Sequence, residues 1–151
     1  MTDSAVSWHD RIAKRFEQRY SDSKLFRDRL QVWSRFLLSY CNGSQIAALD
    51  LGCGAGNFSI LLARHYRKLV CVDGSESMAQ LCRDKLAAIS HSDIEVVVED
   101  LNTFCVSTSA RFDIICCSSV LEYIDDLDAT LVNIGRCLEK ERYSAFFNPN
   151  W

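Results

Sequence analysis

Three of the chain's six glycines, Gly52, Gly54 and Gly56, fall within five residues, directly after the apolar run Ile46-Ala47-Ala48-Leu49-Asp50-Leu51. A short apolar run that stops at clustered glycines reads as a buried strand turning sharply into another element. Glycine accepts positive φ and lets a ligand approach the backbone closely, and the helix that follows offers N–H groups with no partner inside it. The feature therefore predicts a strand–loop–helix unit with a ligand at the strand's carboxyl end.

The rest of the chain repeats that alternation. Before the glycines, Trp8, Ile12, Phe16 and Tyr20 recur every four residues between charges, which predicts an amphipathic helix. Leu25, Phe26, Leu30, Trp33, Phe36, Leu37 and Tyr40 mark a second, ending near Asn42-Gly43. After them come a helix from Asn57 to Tyr66, with His65 on its apolar face, and a strand Leu69 to Val72 closed by Asp73. A helix from Ser75 to Ile89 follows, with Ser75 as N-cap, and then a third strand, Ile94 to Val98. Residues 101–111 read as irregular, with room for a short helix. Phe112 to Cys117 is a fourth strand, Leu127, Leu131, Ile134 and Leu138 mark a further helix, and Tyr143 to Phe147 is a fifth strand. Near-continuous apolar strands alternating with helices predict an α/β fold, a Rossmann-like doubly wound parallel sheet in the order 3-2-1-4-5. At 151 residues this is one domain, with 1–45 a helical segment and 46–151 the core.

Composition excludes several other classes. The hydrophobic fraction of 48% and charged fraction of 25% are those of a globular domain, not a disordered or repetitive chain. Net charge is −3, and residues 1–45 hold eight Lys/Arg against five Asp/Glu, too small an excess to signal nucleic-acid binding. No run has the length of a membrane span. Eight cysteines with no Cys-x-x-Cys pair, three of them (Cys71, Cys116, Cys117) in apolar strands, read as packed thiols in a reducing cytoplasm. Neither a metal site nor disulfides are expected.

Two cofactor classes compete for the glycine loop. Dinucleotide binding calls for Gly-x-Gly-x-x-Gly, whereas this loop is spaced Gly-x-Gly-x-Gly and position 57 is Asn. Asp50 at the end of the strand would repel a pyrophosphate but suits a cationic amino group. A cofactor with an amino-acid tail and a sulfonium fits better than one with two phosphates. Asp73, at the end of the second strand, has two acceptor oxygens for the hydroxyls of a ribose.

Leu49-Asp50-Leu51-Gly52-Cys53-Gly54-Ala55-Gly56-Asn57-Phe58 resembles motif I of the class I S-adenosylmethionine-dependent methyltransferases. Val72-Asp73-Gly74-Ser75-Glu76-Ser77-Met78 is similar to their second motif, Glu99-Asp100-Leu101 to the acidic turn after their third strand. Phe112-Asp113-Ile114-Ile115 through Ser118-Ser119-Val120-Leu121-Glu122-Tyr123 resembles their fourth-strand motif, and the small-molecule, ubiquinone-biosynthesis-like branch is the nearest in character. The resemblance implies S-adenosyl-L-methionine as cofactor. It assigns Asp50 and the loop backbone at Gly52, Cys53, Gly54 and Gly56 to the methionine end, and Asp73 with Gly74 to the ribose. Met78 would line the adenine pocket, Asp100 and the Leu101 N–H would meet the adenine edge, and the Ser118 backbone would lie near the methionine amino group. The amino-terminal helices would fold over the cofactor as a lid.

Methyl transfer from a sulfonium needs alignment above all, and a base only where the acceptor must lose a proton. Candidates for that role are His9 and Tyr20 on the amino-terminal helices, and Glu122 and Tyr123 after the fourth strand. His65 reads as a packed histidine and His91 as a loop residue. Glu122 stands without the second carboxylate and histidine that give some relatives a metal site. The acceptor is expected to be a small molecule offering O, N or C. The alternatives are a truncated or catalytically incomplete cofactor-binding module that needs a partner chain, and, less favoured, an NAD-dependent oxidoreductase. The resembling family has seven strands; this chain stops at Trp151, after the fifth. Either it is a truncated product, or a partner chain or dimer mate covers the edge of strand five.

Overall fold

The computed structural model describes residues 11, 22–41, 46–90, 92–139 and 145–148. The expected first helix, with His9 and Tyr20, lies outside these residues, as do His91 and the expected helix end at Asn42-Gly43. In chain order the described elements are α1 (Lys24–Ser39), β1 (Ala47–Leu51), α2 (Ser59–His65), β2 (Lys68–Asp73) and α3 (Glu76–Leu86). They continue with β3 (Asp93–Val98), α4 (Leu101–Ser107), β4 (Ile114–Ser118), a 3-10 turn (Leu121–Tyr123), α5 (Leu127–Arg136) and β5 (Ala145–Asn148).

The strands form one parallel sheet in the order β3-β2-β1-β4-β5. Leu49 of β1 lies between Val70 of β2 and Ile115 of β4, and Asp50 between Cys71 and Cys116. Side chains alternate across a strand, so β1 feeds two cores. Ala48 joins Leu37 of α1, Leu62 and Ala63 of α2, Cys82 and Leu86 of α3, and Cys71 and Cys116 from the neighbouring strands. Leu49 and Leu51 join Leu101, Phe104 and Cys105 of α4 and Ile134 of α5 on the opposite face. Helices cover both faces, which satisfies strands that are apolar on both sides.

Local chemistry fixes the element ends. Ser75 caps α3 by accepting from the Met78 N–H at 3.2 Å. Asp100 caps α4, a two-turn helix within the stretch that reads as irregular, by accepting from Asn102 N at 2.9 Å and Thr103 N at 3.2 Å. Asp113, buried just before β4, accepts from the N–H groups of Ile46 and Ala47 at 2.6 and 2.8 Å and so anchors the start of β1. Two expectations change. His65 is exposed at the end of α2, because the buried face of that helix is Ser59, Leu62 and Ala63. On α5 the buried face is Thr130 and Ile134, while Leu127 and Leu131 are exposed. The described part of the amino-terminal segment, α1, packs through Leu37 onto the sheet face shared with α2 and α3.

Candidate cofactor-binding site

The sheet order reverses between β1 and β4, and the residues expected to hold a cofactor lie at or just past the carboxyl ends of the strands. All three loop glycines have positive φ: 67° at Gly52, 52° at Gly54 and 79° at Gly56. Two of them also face close neighbours. A Cβ on Gly52 would lie 2.7 Å from Val120, the residue two past β4, and one on Gly56 would lie 2.9 Å from the Cys82 sulfur on α3. Over Gly54 nothing lies within 4 Å of that position, so the backbone is open to a ligand there.

β2 holds the loop from the side. The N–H groups of Gly52 and Cys53 both donate to the Val72 carbonyl, at 2.8 and 3.1 Å. Asp73 accepts from Gly54 N through one carboxylate oxygen at 2.8 Å and from Ser75 N through the other at 2.9 Å. An ionised carboxylate presents about four acceptor positions, enough to serve both the loop and a diol. Gly74 is half-buried beside it, and Met78 is buried against Ala55 and Leu81, beneath the loop.

Asp50 behaves differently from its expected role. Its side chain is 1% exposed and points into the α2–α3 face of the sheet, where its Oδ2 accepts from Ser59 Oγ at 2.6 Å. Ser59 is the first residue of α2 and is itself fully buried, and it also accepts from the Cys82 thiol at 3.6 Å. Burial pushes the Asp50 carboxyl up to about 7, against the Ser59 hydrogen bond, which favours the charged form. Ser59 carries no motif, and its one sequence signal is a small polar residue opening an apolar helix. Lys85 of α3 donates to Asn57 Oδ1 at 2.5 Å at the far end of the loop.

Asp100 and Leu101 lie where β3 passes into α4, and the Glu99 N–H donates to the Asp73 carbonyl at 3.1 Å, which joins this turn to the end of β2. Past β4, Ser118 is half-buried and Ser119 takes φ 58°, a left-handed conformation that costs a non-glycine residue about 1 kcal/mol. The following 3-10 turn carries Glu122, exposed, and Tyr123, half-buried. Partial burial, and then the charge of Glu122, push the Tyr123 phenol above its ordinary value. Among the described residues no group of three His, Cys, Asp or Glu side chains is placed to hold a metal ion. No helix among them is long and apolar enough to cross a membrane.

The donor set decides between ligand classes. Residues 50–56, 73–78 and 99–101 include Asp50, Asp73, Glu76, Glu99 and Asp100 and no lysine or arginine. Such a surround suits a cationic ligand with ribose hydroxyls and disfavours a pyrophosphate.

Residues 48–141, well over half of the chain, match the family model described as a methyltransferase domain. Pavine N-methyltransferase of Thalictrum flavum subsp. glaucum is 26% identical over 77% of this chain and 33% of its own length. Nodulation protein S of Rhizobium tropici is 32% identical over 68% of this chain and 41% of its own length. The chain thus spans between one third and about two fifths of these curated relatives. Among solved structures, the N-methyltransferase NodS of Bradyrhizobium japonicum WM9 in complex with S-adenosyl-L-homocysteine has a TM-score of 0.67 at 27% identity, covering 80% of this chain and 60% of that one. A methyltransferase from Clostridium acetobutylicum ATCC 824 shares the fold, with a TM-score of 0.74 at 24% identity, covering 91% of this chain and 57% of that one. With this sheet order, this loop and that match, the chain belongs to the methyltransferase domain family.

Proposed function

We propose that this domain binds S-adenosyl-L-methionine and moves its methyl group to an oxygen, nitrogen or carbon of a small molecule. The observation that carries the reading is the Gly54 loop, open above and tied to Asp73 by a 2.8 Å hydrogen bond, in a chain that belongs to the methyltransferase domain family. When bound, the cofactor supplies an electrophilic methyl on a sulfonium. The loop backbone at Gly52 to Gly56 would seat its methionine end, and the Asp73 carboxylate with Gly74 would accept from its ribose hydroxyls. Asp100, the Leu101 N–H and the Ser118 backbone are proposed around the adenine and the amino group. Met78 and Asp50, both buried, would shape the loop from beneath.

The remaining task is alignment, since an in-line displacement gains most from holding acceptor and methyl in register. Glu122 and Tyr123 stand past β4 in the 3-10 turn that directly follows Val120, the residue that packs against Gly52. Tyr123, held protonated at neutral pH, serves as a hydrogen-bond donor to an acceptor and not as its base. Seven of the eight cysteines are buried, packed as small apolar side chains, and we extend the proposal to a reducing compartment such as the cytoplasm. We extend the proposal to the 1–45 segment as a lid and to a partner or second copy along the outer edge of β5. Among the described residues β5 pairs with β4 alone.

The test is a transfer assay with methyl-labelled S-adenosylmethionine over panels of small amines, phenols and catechols. Label appearing in at least one panel supports the reading. Cofactor binding with no transfer to any panel, or to protein or nucleic acid alone, contradicts the small-molecule part of it.

A further inference from the structure

The outer edge of β3 carries a row of backbone groups that the sheet does not use. The Asp93 N–H donates to the Arg67 carbonyl at 2.7 Å and the Glu99 N–H to the Asp73 carbonyl at 3.1 Å, so alternate residues from Asp93 to Glu99 face β2. Ile94, Val96 and Val98 therefore turn both N–H and C=O away from the sheet, and among the described residues β3 pairs with β2 alone. The Val96 carbonyl shows that direction, since it accepts from Arg83 of α3 at 3.3 Å. Alongside runs a groove of about 510 Å³ between α3 and β3, with Leu86, Ile89, Ile94 and Val96 in its lining. The other face of the strand is acidic. Asp93 and Glu95 are exposed and Glu99 is half-buried, and among the described residues no ion pair takes up any of the three.

That charge pattern decides what the edge accepts. A second copy pairing antiparallel through β3 must set outward-facing residues opposite one another. A two-fold axis at Ile94, Glu95, Val96 or Val97 then opposes Asp93 to Glu95, Glu95 to itself, Asp93 to Glu99, or Glu95 to Glu99. Like charges directly opposite destabilise a strand pair, so each of these registers of self-pairing is penalised. Basic residues in the same places are favoured instead. We propose that β3 is a docking edge for an extended segment of a partner protein in which basic and aliphatic residues alternate. Its backbone pairs with Ile94, Val96 and Val98, its aliphatic side chains enter the groove beside α3, and its basic side chains lie against Asp93, Glu95 and Glu99. The Arg83 guanidinium, which also bridges to Glu76 at 2.9 Å, yields the Val96 carbonyl to the incoming N–H. The inference does not depend on which ligand the glycine loop holds.

The probes are acetylated synthetic peptides: one alternating lysine with isoleucine, one alternating glutamate with isoleucine, and a copy of the first N-methylated at every backbone amide. Calorimetry on the full chain, with amide exchange followed residue by residue, tests the proposal. The lysine peptide should bind about tenfold more tightly than the glutamate peptide, because cross-strand pairs change from opposite to like charge. The methylated copy, which has no N–H to donate, should not bind. The Ile94, Val96 and Val98 amides should become protected with the lysine peptide, while Glu95 and Val97, already turned toward β2, change little. Glu95→Lys, at an exposed position, should narrow the preference between the peptides and leave the melting temperature unchanged. No binding of the lysine peptide, equal affinity for the two charges, or full binding of the methylated copy overturns the inference. So does protection confined to residues outside β3, or a preference unchanged in Glu95→Lys. Dimerisation of the unmodified chain that protects the same three amides gives the edge to a second copy and overturns it as well.

Discussion

Gly52 meets two demands at once, a left-handed backbone at φ 67° and a side-chain position already filled by Val120. Gly52→Ala should therefore lower stability by about 2–4 kcal/mol, combining backbone strain with overpacking. Val120→Ala in the same chain should recover only part of the packing loss, because the Val120 Cβ that alanine keeps lies 2.8 Å from that position, and denaturant titration of the single and double variants would measure it. Asp50 gives a prediction of opposite kind. Its folded-state carboxyl stands near 7, above the ordinary carboxylate value, so the folded chain binds more protons than the unfolded one between roughly pH 4 and pH 7. This group's contribution to stability thus falls as pH rises through that window, by at most about 1.4 kcal/mol per pH unit, and is constant above it. Asp50→Asn should remove that slope, and urea unfolding at a series of pH values reads it directly. A variant with the same slope as the parent chain would place the titration elsewhere. The acidity of this site was legible in the sequence, but the direction of Asp50 was not. A motif records that a carboxylate is present, whereas the pleat decides which face receives it.

At the scale of elements, Asp100 caps a helix and is also proposed to meet the cofactor's adenine. Its Oδ1 caps α4 through Asn102 and Thr103, so Asp100→Ala should cost about 0.5–2 kcal/mol, while Asp100→Asn keeps the cap and most of that stability. Thermal melts of the two variants separate capping from any loss of cofactor affinity, which should appear in both. The sequence located α5 by the spacing of Leu127, Leu131, Ile134 and Leu138, yet the helix buries Thr130 and Ile134. A broad apolar stripe fixes the period and leaves the rotation of the helix to its neighbours. Cys137, which caps α5, is settled by the Cys105 carbonyl its thiol reaches at 3.6 Å. His65 fell outside the core for the same reason, since α2 turns Ser59 inward to meet Asp50. α4 fills the place left for a short helix within 101–111, and its bounds were not legible because seven residues are too few for a period to declare itself.

For the whole molecule, the order β3-β2-β1-β4-β5 was readable because each strand is a short apolar run ended by a turn signal, and parallel crossovers allow few arrangements. What the linear pattern could not carry is how distant segments close on the loop. Val120 presses on Gly52, Cys82 on Gly56, and Asp73 bonds to Gly54, from three separate parts of the chain. The loop is a junction of three elements, and its ligand selectivity belongs to that junction. Binding of S-adenosylhomocysteine against NAD, measured by calorimetry on the full chain and on Asp73→Ala, tests the central claim most directly. The expected result is binding of S-adenosylhomocysteine without NAD, weakened about tenfold or more in Asp73→Ala through loss of charge-assisted hydrogen bonds. Binding of NAD without S-adenosylhomocysteine, or unchanged affinity in Asp73→Ala, would contradict it.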